Sequence, residues 1–295
     1  MLVLDRRHLR HLGRAGGLLS RTVRFRTPDG VVHDGRVATD AGRLCVESPQ
    51  GLRLRVRDAG TLALEGAELV RPVDPPEVWC SGVTYERSRD ARVEESGSDV
   101  YARVYDAERP ELFLKDAACR RTVGPGEPVA IRTDASWNVP EPEIGVVLGH
   151  DLEIAGYTIG NDVSSRDIEG ENPLYLPQAK VFAAACALGP AVYVPDDWDA
   201  PLTIRLRIAD EHGAELFAGE TSTARMRRSF GDLVSWLVRD NPVPPGSVLL
   251  TGTGLVPPDD YTLRPGHTVE IEVAEIGTLV NPVVMADALM QGSSG

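Results

Sequence analysis

Cysteine is scarce in this chain, four in 295 residues, and no two of the four stand close together. Cys45, Cys80, Cys119 and Cys186 therefore spell neither a disulfide framework nor the paired spacing of a zinc site, and read as reduced, buried thiols of a cytoplasmic protein. Basic residues are outnumbered, 31 against 44 acidic, for a formal charge of −13. A surface of that sign repels a phosphate backbone or an anionic lipid headgroup, so no nucleic acid and no membrane is expected as partner. No apolar run approaches membrane-spanning length, and MLVLDRRHLRHLGR interrupts its apolar residues with charge too early for a signal-peptide core. Also missing are G-x-S-x-G, G-x-x-x-x-G-K and a strand-linked G-x-G-x-x-G, which removes the nucleophile-elbow, P-loop and Rossmann readings.

Hydrophobic residues make up 42% and charged residues 25%, ordinary for a globular protein whose length allows one large domain, or a main domain with a smaller one attached. Residues 20 to 72 alternate apolar and polar positions between turn signals, a pattern of short antiparallel strands. RPVDPPEVW, with three prolines, reads as a linker. CSGVTYERSRDARVEESG follows as a helix or loop, and then the run ELFLK. From residue 141 strand signals dominate again, interrupted by one clear helix in SFGDLVSWLVRDNP, with Ser229 as N-cap and Phe230, Leu233, Val234 and Leu237 on its apolar face. The expected class is mostly β with few helices (α+β), a rolled mixed sheet. The expected division is a small N-terminal β-rich domain over 1–72, a main domain over 73–288 and a flexible tail over 289–295.

Three carboxylates then raise a question. In EPEIGVVLG, Glu141 and Glu143 are two apart, so on a strand they project to one face, and Asp162 closes the next strand nineteen residues after Glu143. If the two strands pair through GHDLE, the aspartate returns to the same end of the sheet. Like charges side by side on a strand are unfavourable unless a cation joins them. Three oxygen ligands without histidine or cysteine suit Mg²⁺, or Ca²⁺ or Mn²⁺, rather than zinc. The alternative is a strand edge carrying three unconnected, solvated acids. VSSRDIEGENPLYLPQAKVF reads as a long ordered loop that delivers Arg166 and Lys180, the cationic groups an anionic substrate on a metal would require.

PEPEIGVVLG, GYTIGNDVSSRD, QAKVF, LGP, TGTG and PGHTVEIEVAEIGTLVNPV occur in that order, and together they resemble the fumarylacetoacetate hydrolase superfamily over roughly residues 76 to 285. The resemblance implies a mixed β-roll that binds Mg²⁺ or Ca²⁺ through an E-x-E pair and a later aspartate, and homodimers or homotetramers. It makes Glu141, Glu143 and Asp162 the metal ligands. It places Ser81, Tyr85, Arg166, Gln178, Lys180 and Thr253 against a small 2-oxo acid. Taken singly, Thr253 could be an ordinary turn residue and Lys180 a surface lysine.

One motif departs from the hydrolase pattern. Hydrolases of the family carry N-Y-x-x-H, whose histidine activates water with a glutamate. Here GVTYERSRDAR keeps Tyr85 but has Ser88 at the histidine position. The loop sequences look more like the 2-keto-3-deoxy-arabinonate dehydratase branch. Such a resemblance implies a lyase in which the cation stabilises the enolate formed when a proton leaves C3. Loss of the C4 hydroxyl and tautomerisation then give 2-oxoglutarate semialdehyde, with no water nucleophile. Glu111 is the candidate proton acceptor, since it precedes an apolar run that could desolvate it. The alternative for Glu111 is an exposed acid at a strand start. Lys180 would hold the substrate or protonate the leaving hydroxyl, and Lys115 would pair structurally with an acid. Acylpyruvate hydrolysis, 2-oxo acid decarboxylation and isomerisation remain alternatives on the same scaffold, and a non-catalytic binding protein is a further one.

Overall fold

The computed structural model describes residues 20–86 and 100–290. Strands dominate, and the described helices are short, five to eight residues each. One sheet has 13 strands and another five. Val248–Leu250 runs parallel to Glu77–Cys80 and antiparallel to Pro142–Leu148, so the large sheet is mixed, as expected. Among the described residues no helix is long and apolar enough to cross a membrane.

The N-terminal strands Ser20–Arg26, Val32–Asp40, Arg43–Glu47 and Arg53–Asp58 form an antiparallel meander. Its first strand then pairs with Cys186–Val194, Ser20 opposite Val194. Val23, Phe25, Val37 and Val46 join the same buried cluster as Ile144 and Ile159. The β-rich stretch at the N-terminus, open to reading as a small domain or as an extension of the roll, thus continues the sheet and core of the rest of the chain.

Two strands position the site. Pro142–Leu148 and Ile154–Asp162 form the antiparallel hairpin expected from GHDLE, with Glu143 opposite Gly160 and Pro142 opposite Asn161. Beyond the last strand pair the Asp162 N–H still donates to the Glu141 carbonyl, at 3.0 Å. Strand alternation sends Ile144, Val146 and Leu148 to the main core. The opposite face carries Val147 into a smaller cluster with Val78, Cys80, Leu188 and Leu250, and Glu143 lies on that face. Both faces of the hairpin are buried, so only its end is open for chemistry. Gly160 is glycine for a steric reason: a Cβ there would fall 2.3 Å from a Leu250 methyl.

The five-stranded sheet obeys the same alternation. Leu206, Ile208, Val269 and Ile271 face the core, while Arg205 meets Glu272 at 3.2 Å and Arg207 meets Glu270 at 2.8 Å on the outer side. The expected helix is present as Phe230–Leu237, with the Ser229 hydroxyl accepting from the Asp232 N–H and Leu233, Val234 and Leu237 buried.

Two expectations change. VSSRDIEGENPLYLPQAKVF is not a loop but two short helices, Arg166–Glu171 and Leu176–Lys180, joined by a 3₁₀ turn, Pro173–Tyr175. Pro173 and Pro177 sit in first turns, where the missing N–H is not needed, and Asn172 caps the turn by accepting from the Leu174 N–H. In the tail, Ala286–Met290 is helical, which leaves residues 291–295 outside the described residues.

Candidate active site

Glu141, Glu143 and Asp162 come together at the open end of the hairpin. One carboxylate oxygen from each lies within 4.8 Å of the other two, and all three residues are buried. Strand register explains it: Glu141 and Glu143 share a face, and Asp162 stands directly across from Glu141. The solvated strand edge is thereby set aside.

Cations from the two short helices enter this cluster. Lys180 Nζ donates to Glu141 Oε2 at 2.8 Å, to Asp162 Oδ2 at 2.9 Å and to the Ser164 hydroxyl. Arg166 Nη2 donates to Glu141 Oε1 at 3.0 Å. Lys115, buried like Lys180, pairs with Asp162 as anticipated, and donates to the backbone carbonyls of Val163 and Lys180. It therefore fixes both a carboxylate and the end of the helix that carries Lys180.

Glu143 is held differently. Its Oε2 accepts from the Gly252 N–H at 2.6 Å, and among the described residues no lysine or arginine meets it in an ion pair. Burial first, and then the charges of Asp162 and Glu141, hold its carboxyl well above the usual carboxylate range. Glu111, Glu141, Glu143, Asp162 and Glu169 all border one pocket, together with Arg166 and Lys180, with Lys115 behind. Counted as ionised and among the described residues, five carboxylates against three cationic groups leave two negative charges, the charge one divalent cation cancels. An all-oxygen donor set with that deficit fits Mg²⁺ and does not fit zinc.

The raised Glu143 carboxyl makes a pH prediction. In the folded, cation-free protein this group keeps its proton above pH 4.5, its ordinary value, whereas the unfolded chain releases it. The folded state then binds more protons, so its stability falls as pH rises above that value, and a cation that displaces the proton offsets the fall. Melting curves from pH 5 to pH 8 should show a Mg²⁺-induced rise in Tm that grows with pH. A rise independent of pH would contradict the assignment.

The remaining expected residues divide. Ser81 lines the pocket and its hydroxyl donates to the Glu111 carbonyl at 3.0 Å. Glu111 also lines it, its carboxylate lying against Gly82 so closely that a Cβ there would sit 2.0 Å from Oε2. Thr253 borders the pocket, with its hydroxyl engaged to the Leu255 backbone. Tyr85 does not border it. Its ring packs on Gly254, where a Cβ would fall 2.4 Å away, and burial together with the Glu143 charge raises its phenol. Gln178 does not border it either: its side chain is exposed, and its backbone carbonyl accepts from Arg132. Two residues before Lys180 on an α-helix is about 200° around the axis, so burying Lys180 turns Gln178 outward. Ser88 lies outside the described residues. None of the histidines among the described residues lines the pocket.

Residues 77–284 match the family model of the fumarylacetoacetate (FAA) hydrolase C-terminal domain. The chain belongs to the fumarylacetoacetate hydrolase family. Two relatives within the family share nearly half of their aligned residues with it. It is 47% identical over 222 residues to a 2-dehydro-3-deoxy-D-arabinonate dehydratase of Saccharolobus solfataricus, covering 73% of this chain and 74% of the relative. It is 50% identical over 214 residues to a probable 2-keto-3-deoxyxylonate dehydratase of Haloferax volcanii, covering 72% and 73%. A solved structure of 2-keto-3-deoxy-D-arabinonate dehydratase, complexed with magnesium and 2,5-dioxopentanoate, superposes with a TM-score of 0.77 at 37% identity, over 90% of this chain and 99% of that one.

Several pocket residues gave little signal in the sequence. Glu169 is buried and lines the pocket three residues after Arg166, a spacing that shares a face only once the segment is known to be helical. Gly252, between two threonines, supplies the amide that holds Glu143.

Proposed function

We propose that this protein is a Mg²⁺-dependent hydro-lyase that dehydrates a 2-keto-3-deoxy sugar acid such as 2-keto-3-deoxy-arabinonate to 2,5-dioxopentanoate (2-oxoglutarate semialdehyde). The observation that carries this reading is the pocket itself: an oxygen-only triad, a further carboxylate, Glu111, in the same lining, and two cationic side chains bonded to the triad. Glu141, Glu143 and Asp162 would hold the cation. When bound, it supplies a Lewis acid that polarises a 2-oxo group beside its carboxylate.

The chain's own residues do the rest. Gly252 orients Glu143 through its amide, and Arg166 and Lys180 fix Glu141 from two sides. Glu111 takes the C3 proton. Lys180, with its ammonium already aimed at the cluster, gives a proton to the departing C4 hydroxyl. The atoms balance: C3 loses a proton and C4 loses hydroxide that leaves as water, giving the C3=C4 unsaturated 2-oxo acid; loss of a C5 proton and gain of one at C3 move the double bond to C4=C5, an enol that takes a proton at C4 and becomes the C5 aldehyde. Ser81 holds the main chain of Glu111, and Thr253 forms the wall beside Gly252. Sequence supports dehydration over hydrolysis, because Ser88 occupies the position of the water-activating histidine. The proposed assembly is a homodimer or homotetramer and the proposed compartment the cytoplasm, the latter in keeping with four free cysteines.

The test is NMR of the protein with 2-keto-3-deoxy-D-arabinonate beside an acylpyruvate and oxaloacetate, in Mg²⁺ and in EDTA. Appearance of 2,5-dioxopentanoate from the sugar acid, in Mg²⁺ alone, is expected. Acylpyruvate cleavage in its place, or turnover that survives EDTA, would overturn the reading.

Gly82→Ala gives a sharper probe of Glu111. The added methyl collides only with the end of a flexible side chain, so the Glu111 carboxylate swings aside and the fold survives. A displacement of about 1 Å at a reacting group lowers kcat by about 10²-fold. Melting within a few degrees of the parent, with that loss of turnover, is the expected pair of results.

A further inference from the structure

Glu111 reaches the pocket from a stretch of chain that is held at a distance from it. Arg228 Nη2 donates to the backbone carbonyls of Ala107 and Glu108, the latter at 2.8 Å, while its Nη1 meets Asp232 Oδ2 at 2.7 Å. Asp232 lies in the first turn of Phe230–Leu237, a helix whose Leu233, Val234 and Leu237 are locked in the core. The neighbouring Arg227 bonds the Asp106 carboxylate at 3.0 Å and its carbonyl at 3.3 Å. Arg109, two residues before Glu111, stacks 4.7 Å over the ring of Trp236 from the same helix. The other side of the pocket docks on the same short segment. The Arg227 N–H donates to the Thr84 carbonyl at 3.0 Å, and Met226 bridges to Tyr85, just past Ser81 and Gly82.

We propose that Arg228 is a positioning residue for Glu111, acting through the main chain of residues 107 and 108. This rests on the reading of Glu111 as the proton acceptor. The guanidinium is suited to the task because its planar fork satisfies three acceptors at once from a rigid carboxylate support. Because two of those acceptors are backbone carbonyls, the clamp fixes the path of the chain whatever side chains stand at 107 and 108. It sets where Glu111 enters the pocket, and Ser81 then holds the Glu111 backbone carbonyl while Gly82 borders its carboxylate. Arg228 itself does not touch the metal-candidate cluster, so its loss should leave the binding of the 2-oxo acid head intact.

The test is a double-variant cycle with Arg228→Ala, Arg228→Lys, Glu111→Gln and the combination Arg228→Ala with Glu111→Gln, read as kcat, KM and melting temperature. Arg228→Ala should lower kcat by about 10- to 10²-fold, the cost of a misplaced reacting group, with KM within about threefold of the parent. Arg228→Lys, which keeps the charge but cannot span three acceptors, should show most of the same loss while folding as the parent does. In the Glu111→Gln background Arg228→Ala should cost less than about threefold more, because residues acting through one group are not additive. Millimolar guanidinium should restore part of the Arg228→Ala activity. Losses that multiply in the combined variant would overturn the proposal while leaving Glu111 in its role. Full activity in Glu111→Gln would overturn both, and unchanged kcat in Arg228→Lys and Arg228→Ala would overturn the clamp alone.

Discussion

Glu143→Gln is expected to abolish Mg²⁺ binding and to lower kcat/KM by at least about 10³-fold, the several kcal/mol of charge stabilisation a Lewis-acid cation contributes, and still to leave the cation-free protein as stable as the parent or more so. The amide is isosteric with the carboxyl, and its oxygen still accepts from the Gly252 N–H that holds Glu143 at 2.6 Å. What disappears is a buried acid crowded by Asp162 and Glu141, the source of its raised carboxyl. The pH slope of the cation-free melting temperature should therefore flatten, because the group that keeps its proton in the folded state and releases it on unfolding is gone. Glu143→Ala should lose turnover equally but also leave the Gly252 amide without its acceptor, at about 1–3 kcal/mol. Isothermal titration with Mg²⁺ and melting at several pH values check both. Retained Mg²⁺ affinity in Glu143→Gln would remove Glu143 from the ligand set.

The metal-candidate triad was legible in the sequence because its geometry is local. An i, i+2 pair on a strand and a short hairpin turn are enough to predict that Glu141, Glu143 and Asp162 meet, and the register delivers them. Helix phase is less accessible in a five-residue element. Gln178 and Lys180 were expected to share the pocket, yet Leu176–Lys180 is too short to show which side its apolar face takes. Glu169 escaped for the same reason, since its relation to Arg166 depends on a turn of helix in a stretch rich in Asn and Pro that reads as loop. The non-local features were not legible at all. Nothing near residue 20 announces that Ser20–Arg26 pairs with Cys186–Val194, and nothing near Glu111 announces Gly82 or Arg228. Such contacts depend on how sheets close upon each other, which pattern and spacing leave undetermined.

Lys180→Met should match Glu143→Gln in lost turnover and oppose it in stability. Lys180 Nζ is the donor shared by Glu141, Asp162 and Ser164, all of them buried. Among the described residues, removing it leaves Lys115 and Arg166 to answer the carboxylates of the pocket, so the negative charge there grows by one. Breaking a buried ion pair from one side costs about 3–5 kcal/mol, and the cation-free variant should melt correspondingly lower than the parent. A divalent cation should recover more of that loss than it adds to the parent, because it meets a cluster of greater negative charge. Turnover should not recover with it: proton delivery to the leaving hydroxyl contributes about 10²–10⁴-fold, and no other side chain bonded within the cluster carries an ammonium aimed at Asp162 and Ser164 together. Calorimetry with and without Mg²⁺, beside single-turnover rates, separates the two consequences. If saturating Mg²⁺ restored both stability and rate, Lys180 would be a charge-balancing residue only, and the proton for the departing hydroxyl would have to come from another group in the pocket.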